Sequence, residues 1–364
     1  VKDKGQAKLM ADRWKCAVVG TGTVGQTHVR VLPKLPGAQL VAVCDIKPER
    51  AKSVLEKHNA PPVPVYDDFR AMLDKEKIDV VHIATPSGTH HDIAIESMKR
   101  GKHVISEKPL EIKLDRVDRM IETAAKNNVK LACVFQNRWK EENRAIKRAV
   151  DEGRFGKLAW AGSFTPWYRP DKYYEEVDWR GTWQWDGGGA TMNQGVHAVD
   201  LLQWLAGPVK RVSAYAASRI HPKIETEDTM SCSLEFASGA FGTILASTAM
   251  FPGMPARFEI AGENGTAVSE NGLKMFKFRD ARDSDAELLA RLAPVDAKAV
   301  GGAQSNNAAI SADLHGNNLR DILSAWREGR EAETNGVEAR KAVAIVLAIY
   351  ESARKRGEPV DVPA

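Results

Sequence analysis

Gly20-Thr21-Gly22-Thr23-Val24-Gly25 is the first stretch whose residue types and spacing could do chemistry. Glycines at its first, third and sixth places allow a tight turn, a close backbone approach to a pyrophosphate, and close packing of a helix on a strand. The stretch follows an apolar run, Lys15–Gly20, and opens a helical pattern over Gln26–Lys34. That context gives the motif its meaning, because a helix N-terminus offers free N–H groups and partial positive charge to phosphates. Asp45 ends the second apolar run, Gln39–Asp45. A carboxylate there suits a ribose 2′-hydroxyl and repels a 2′-phosphate, so NAD is expected over NADP. Arg50 is the opposing feature, since an arginine can accept a 2′-phosphate.

A second stretch, Phe164–Trp185, gathers Trp167, Tyr168, Arg169, Tyr173, Tyr174, Trp179, Arg180, Trp183 and Trp185. Aromatic faces stack on sugars or bases, and arginine forks bind carboxylate or phosphate. A substrate wall and a packed loop or subunit interface are equal readings of it. Trp179 and Arg180 are the substrate candidates, with Arg180 the preferred anion ligand.

The elements that must position these residues divide in two. From Lys15 the chain alternates strand and helix signals, with strands at Val63–Tyr66, Asp79–Ala84, His103–Ser106 and Lys130–Phe135. Helical stretches at Pro48–His58, Phe69–Asp74, His91–Arg100 and Leu114–Asn128 separate them. Such alternation predicts an α/β Rossmann domain, a doubly wound parallel sheet, over 14–137. After a helix at Lys140–Glu152, strand runs at Val209–Ala217, Thr229–Phe236, Gly239–Ser247 and Arg257–Ala261 follow with few helices between. Ser238–Gly239 reads as a hairpin turn. Residues 138–364 are therefore expected to form an α+β domain with a large, mostly antiparallel sheet that binds substrate. Residues 280–307 read as a long loop, and helices are expected at Leu314–Glu328 and Val337–Lys355.

Composition narrows the class. The chain has 364 residues, enough for two domains, and 52 basic against 48 acidic residues leave a net charge of +4. That excess is too small to argue for nucleic acid. Cys16, Cys44, Cys133 and Cys232 form no CxxC pair, so no metal is expected, and buried thiols suit a reducing, cytoplasmic compartment. No apolar run reaches the length of a membrane helix, and the polar first thirteen residues read as a disordered leader.

Further motifs carry a resemblance. Thr85-Pro86-Ser87-Gly88-Thr89-His90 follows the fourth strand, and Glu107-Lys108-Pro109 the fifth. Gly187-Gly188-Gly189 precedes Asn193-Gln194-Gly195-Val196-His197. From about Trp14 the chain resembles the glucose–fructose oxidoreductase/inositol dehydrogenase/rhizopine catabolism (Gfo/Idh/MocA) family. Trp179–Asp200 is similar to the subgroup containing UDP-N-acetyl-2-amino-2-deoxyglucuronate dehydrogenases. The resemblance implies an NAD-dependent dehydrogenase of a sugar, nucleotide sugar or polyol, acting at a ring hydroxyl, with an open antiparallel sheet in residues 138–364 that builds a homodimer or homotetramer. It places Lys108 beside the nicotinamide, before a cis proline, and Thr85, Pro86 and His90 along the cofactor channel. Ile46, Glu107 and Gln136 join the cofactor-binding set with Gly20, Gly22, Thr23, Val24, Gly25, Asp45 and Arg50. His197 is the implied acid/base, with Lys108 as oxyanion stabiliser or, in the reverse assignment, proton acceptor. Many members carry Asp where this chain has Asn193, which shares a helix face with His197 at i and i+4. Asn193 cannot take a proton, but its amide can position a hydroxyl. His28, His58, His82, His91, His103, His221 and His315 are read as structural. Two other functions stand beside the first: an NAD-dependent glycoside hydrolase that recycles its cofactor, and a non-catalytic NADH sensor.

Overall fold

The computed structural model describes residues 13–294 and 312–364. The leader therefore lies, except for Arg13, outside the described residues, as does the later half of the expected 280–307 loop. Residues 13–136 and 312–340 form one compact unit, and residues 137–294 and 341–364 a second.

The first unit is a six-stranded parallel sheet. Its strands are β1 (Trp14–Val19), β2 (Ala38–Cys44), β3 (Val65–Tyr66), β4 (Val80–Ile83), β5 (His103–Ser106) and β6 (Leu131–Cys133), in the spatial order β3-β2-β1-β4-β5-β6. The order reverses at β1, which is where a doubly wound sheet opens a crevice for a dinucleotide. Between the strands run α1 (Gly25–Val31), α2 (Pro48–Lys57), α3 (Phe69–Lys75), α4 (His90–Lys99) and α5 (Leu114–Lys126). β1 and β4 read as continuous apolar runs because helices cover both faces of a parallel sheet.

Residues 312–340, grouped with the second domain on sequence, return to the first unit. Leu319, Ile322, Leu323 and Trp326 bury in one core with Val29, Leu32 and Leu35. This apolar stripe belongs to the helix Ala312–Arg327, and the following helix, Gly336–Arg354, carries the chain back into the second unit.

The second unit opens with α6 (Glu141–Asp151), β7 (Leu158–Pro166) and α7 (Asp171–Glu175). A π-helical turn, Ala190–Gly195, leads into α8 (Val196–Ala206). Then follow β8 (Val209–Ala217), β9 (Thr229–Phe236), β10 (Phe241–Ser247), β11 (Arg257–Gly262), β12 (Gly265–Glu270) and β13 (Leu273–Phe278). With β14 (Val360–Asp361) these make an eight-stranded sheet, antiparallel except where β7 and β10 run together. One face is covered and the other open: along β9, buried Met230, Cys232 and Leu234 alternate with exposed Ser231 and Ser233 and half-buried Glu235. Within the expected loop at 280–307, α9 (Asp283–Arg291) forms instead. The Asp285 side chain accepts from the Arg282 backbone N–H at 2.9 Å and pairs with Arg154 at 2.7 Å, fixing its first turn. Among the described residues no helix is long and apolar enough to cross a membrane.

Candidate active site

The glycines of the first turn have separate jobs. Gly20 has a φ of +88°, and a Cβ there would sit 2.5 Å from the Ala84 carbonyl oxygen. A Cβ at Gly25 would sit 2.0 Å from the Gly20 carbonyl oxygen. The fold itself requires both glycines. Gly22 faces open space, with no heavy atom within 4 Å of where a Cβ would stand, so its bare backbone is left for a ligand to approach.

Asp45, at the end of β2, is 3% exposed. Its carboxylate accepts from the Thr21 N–H at 2.8 Å, the Thr21 hydroxyl at 2.7 Å and the Lys47 N–H at 2.9 Å. Arg50 donates to both of its oxygens, at 3.0 and 2.5 Å. Burial pushes the carboxyl up, but Arg50 and these N–H donors outweigh burial and hold it below its usual value. Ile46 beside it is 82% exposed, an apolar platform at the sheet's edge. Thr23 is exposed and Val24 half-buried on the same turn. Gln136, which closes this unit, has a buried Oε1 with no hydrogen-bond partner. An open cradle at Gly22, an exposed apolar platform and an orphaned acceptor fit a bound dinucleotide.

The loops after β4 and β5 are tied together by His90. One ring nitrogen lies 2.9 Å from the Pro109 carbonyl oxygen, the other 2.9 Å from that of Thr85. His90 thus fixes the loops that carry Thr85, Pro86 and Lys108. The Lys108–Pro109 bond is cis, and Lys108 is half-buried.

Glu107 turns inward, away from where the sequence placed it as a cofactor contact. Its carboxylate accepts from His28 at 2.8 Å and pairs with His315 at 3.4 Å. His28 meets His82 through their Nδ1 atoms at 3.1 Å. Burial pushes His82 well below its usual value, so its ring is neutral. Its Nε2 has no partner. An unpaired lone pair costs less than an unpaired N–H, so His82 donates through Nδ1 to His28, whose Nε2–H then donates to Glu107. Burial would raise Glu107, but His28 and His315 dominate and hold it well below the carboxylate range. Among the described residues no group of three or more His, Cys, Asp or Glu could hold a metal ion. His28 and His315 thus meet on Glu107 and His82 joins through His28, a grouping the sequence did not foretell.

In the second unit the triple glycine is a packing requirement. A Cβ at Gly188 would lie 2.0 Å from the Tyr350 hydroxyl, and one at Gly189 1.8 Å from the Glu227 carbonyl oxygen. The buried Glu227 carboxylate accepts from the N–H groups of Gly189 at 3.0 Å and Thr191 at 2.8 Å, and from the Tyr350 hydroxyl at 2.9 Å. The Tyr350 hydroxyl in turn accepts from the Met192 N–H at 3.2 Å. These bonds hold Ala190–Gly195 as a π-helical turn, a rare form frequent at functional sites. Asn193 lies in that turn while His197 lies on α8. The glycines and Glu227 thus set a wider turn before α8 begins.

Asn193 donates its Nδ2 to Asp186 at 2.7 Å. His197 borders a small cavity of mixed lining, about 50 Å³, with Gln194, Ser163, Thr165, Trp167 and Leu201. The Ser163 hydroxyl and the Gln194 carbonyl are buried there without partners. α8 is anchored by a buried fork: Arg138 binds Asp200 through two bonds of 2.8 and 2.5 Å.

Arg180 stacks over Tyr173 at 4.1 Å and donates to the Tyr173 carbonyl at 2.6 Å, while its Nε is buried without a partner. Half-buried Trp179 lies 5.7 Å from the same guanidinium. Arg169, which the sequence did not single out as a ligand, is buried against Trp167 and Tyr173. A cavity of about 230 Å³ is bordered by Arg180, Thr182, His221 and the acids Asp171, Glu175 and Glu225. His197 and Asn193 do not border it.

A Rossmann unit with an open glycine cradle, joined in sequence to a sheet unit whose locked turn leads into a histidine-bearing helix, defines a dinucleotide-dependent oxidoreductase. Residues 14–135 match the oxidoreductase family with an NAD-binding Rossmann fold, and residues 143–268 match the GFO/IDH/MocA C-terminal domain. The chain belongs to the Gfo/Idh/MocA family and is an NAD-binding oxidoreductase. It is similar to the WlbA dehydrogenase from Bordetella pertussis, solved with NADH and UDP-GlcNAcA. The two are 31% identical with a TM-score of 0.86, over 97% of this chain and 98% of that one. Myo-inositol 2-dehydrogenase of Thermotoga maritima is 28% identical over 71% of this chain and 75% of its own length. D-apiose dehydrogenase of Paraburkholderia graminis is 26% identical over 94% of this chain and 88% of its own.

Proposed function

We propose that the protein oxidises a ring hydroxyl of a nucleotide-activated N-acetylhexosaminuronate, with NAD as acceptor. The observation that carries this reading is the 31% identity to the WlbA dehydrogenase, which extends over 97% of the chain. The inositol dehydrogenase likeness is weaker and shorter, at 28% over 71%. The aromatic stretch supports the same reading. Trp179 offers a ring face to a sugar or uracil, and Arg180 keeps a buried Nε donor for a carboxylate or phosphate.

NAD would supply the hydride acceptor for the carbinol carbon. Gly22, Thr23 and Val24 would hold its pyrophosphate at the start of α1, and Asp45 its ribose hydroxyls. Ile46, Thr85, Pro86 and Gln136 would line its course. His197 takes the hydroxyl proton as general base, a task suited to an imidazole that titrates near neutral pH. Lys108 stabilises the negative charge that grows on the same oxygen as the carbonyl forms. Asn193 holds the substrate through its amide.

The test is absorbance of reduced nicotinamide after mixing the protein and NAD with UDP-GlcNAcA or, separately, with myo-inositol. A signal with the first and not the second is expected. His197→Ala and Lys108→Ala should each cut that signal's rate at least ~10²-fold. A signal with myo-inositol alone would overturn the substrate class, and near-normal rates in both variants would overturn the residue roles.

A further inference from the structure

We propose that Asp186 is a positioning residue that turns the Asn193 carboxamide so that its carbonyl oxygen, and not its amine, meets the substrate hydroxyl. The proposal rests on the reading of Asn193 as a substrate contact. An asparagine side chain has two ends of nearly equal shape and opposite polarity, so something must choose between them. Asp186 makes the choice. It is 2% exposed and stands directly before the triple glycine. Oδ2 accepts from the Gly181 N–H at 3.0 Å, and Oδ1 accepts from Asn193 Nδ2 at 2.7 Å. A carboxylate only accepts hydrogen bonds, so the amine of Asn193 must face it and the carbonyl oxygen must point away. The Glu227 and Tyr350 bonds hold the turn that carries Asn193, and the Asp186 carboxylate meets the amine end of its amide. The chain thus presents a neutral acceptor at position 193, with the negative charge set one hydrogen bond further back.

The test is a reciprocal exchange, assayed as kcat and KM for NAD reduction with UDP-GlcNAcA. In Asp186→Asn only one oxygen remains. The backbone N–H of Gly181 cannot reverse and claims it, so the new amine faces Asn193, which rotates and presents its own amine to the substrate. A fall in kcat/KM of about tenfold or more is expected, as for a lost and mismatched buried hydrogen bond. Asn193→Asp sets two carboxylates against each other and should also lose activity. The double variant D186N/N193D restores one donor facing one acceptor, and again offers an oxygen to the substrate, so it should recover most of the loss of either single change. Side-chain amide hydrogen exchange at Asn193 in the nitrogen-labelled protein gives a readout without turnover: slow in the native chain, faster in Asp186→Asn. Unchanged kinetics and exchange in Asp186→Asn, or a double variant no better than the worse single one, would overturn the proposal. Full activity in Asn193→Ala would instead overturn the underlying reading of Asn193, and this proposal with it.

Discussion

Asp45 is already satisfied by Thr21, Lys47 and Arg50 before any ribose arrives. A ribose hydroxyl must therefore compete with the solvent-facing partner, the Arg50 side chain, which is 43% exposed. The same pair decides cofactor choice. Asp45→Ala removes the carboxylate that repels a 2′-phosphate and frees Arg50 to bind one. Like-charge juxtaposition costs several kcal/mol, so the NADP-to-NAD ratio of kcat/KM should rise by about 10². An unchanged ratio would mean that Asp45 does not face the ribose. The place of Asp45 at the end of β2, against the glycine turn, was legible because a motif, a strand and a spacing converge on it. The partnerships of Glu107 and Asn193 were not. His28 and His315 come to Glu107 from separate elements, His82 joins them through His28, and Asp186 meets Asn193 across the triple glycine. Local pattern carries no trace of such contacts.

At the scale of elements, strands whose residues alternate or run apolar were legible, and β8 and β9 fall on the expected residues. β12 and β13 were missed although Asn271-Gly272 stands between them. Both residues adopt positive φ, and that dipeptide is the strongest short hairpin signal. β7 was hidden by its composition, LAWAGSFTP, where small residues mute the alternation. Gly162 is required there because a Cβ would strike the Trp160 ring at 2.4 Å. The histidine–glutamate cluster ties α1, β4, β5 and the helix Ala312–Arg327 together, and it makes the first unit's stability depend on pH. Burial holds folded His82 well below 6.5, so beneath that pH the unfolded chain takes up a proton that the folded chain refuses. Stability should fall as pH drops below 6.5, and fall further below 4.5, where unfolded Glu107 protonates but the folded group does not. Thermal unfolding midpoints measured from neutral pH downward should show this decline. His82→Leu should weaken the first phase without abolishing it, because burial also lowers His103. A midpoint indifferent to pH over that range would contradict the cluster's assignment.

Across the whole molecule, the division into a nucleotide-binding α/β unit and a sheet unit was legible from the change in element order after β6. The return of residues 312–340 to the first unit was not. Its apolar stripe announces a buried face, but helical periodicity does not say which core receives it. The groups proposed for the chemistry are shared between the units: Lys108 and Asp45 belong to the first, Asn193 and His197 to the second. The most direct measurement supplies NAD and UDP-GlcNAcA deuterated on its ring carbons. The protein is then denatured and the cofactor weighed by mass spectrometry, so that a retained cofactor is counted with a released one. A single deuteron on the reduced nicotinamide, formed far more slowly by His197→Ala, is the predicted result. A cofactor that stays oxidised and unlabelled would contradict hydride transfer from this sugar.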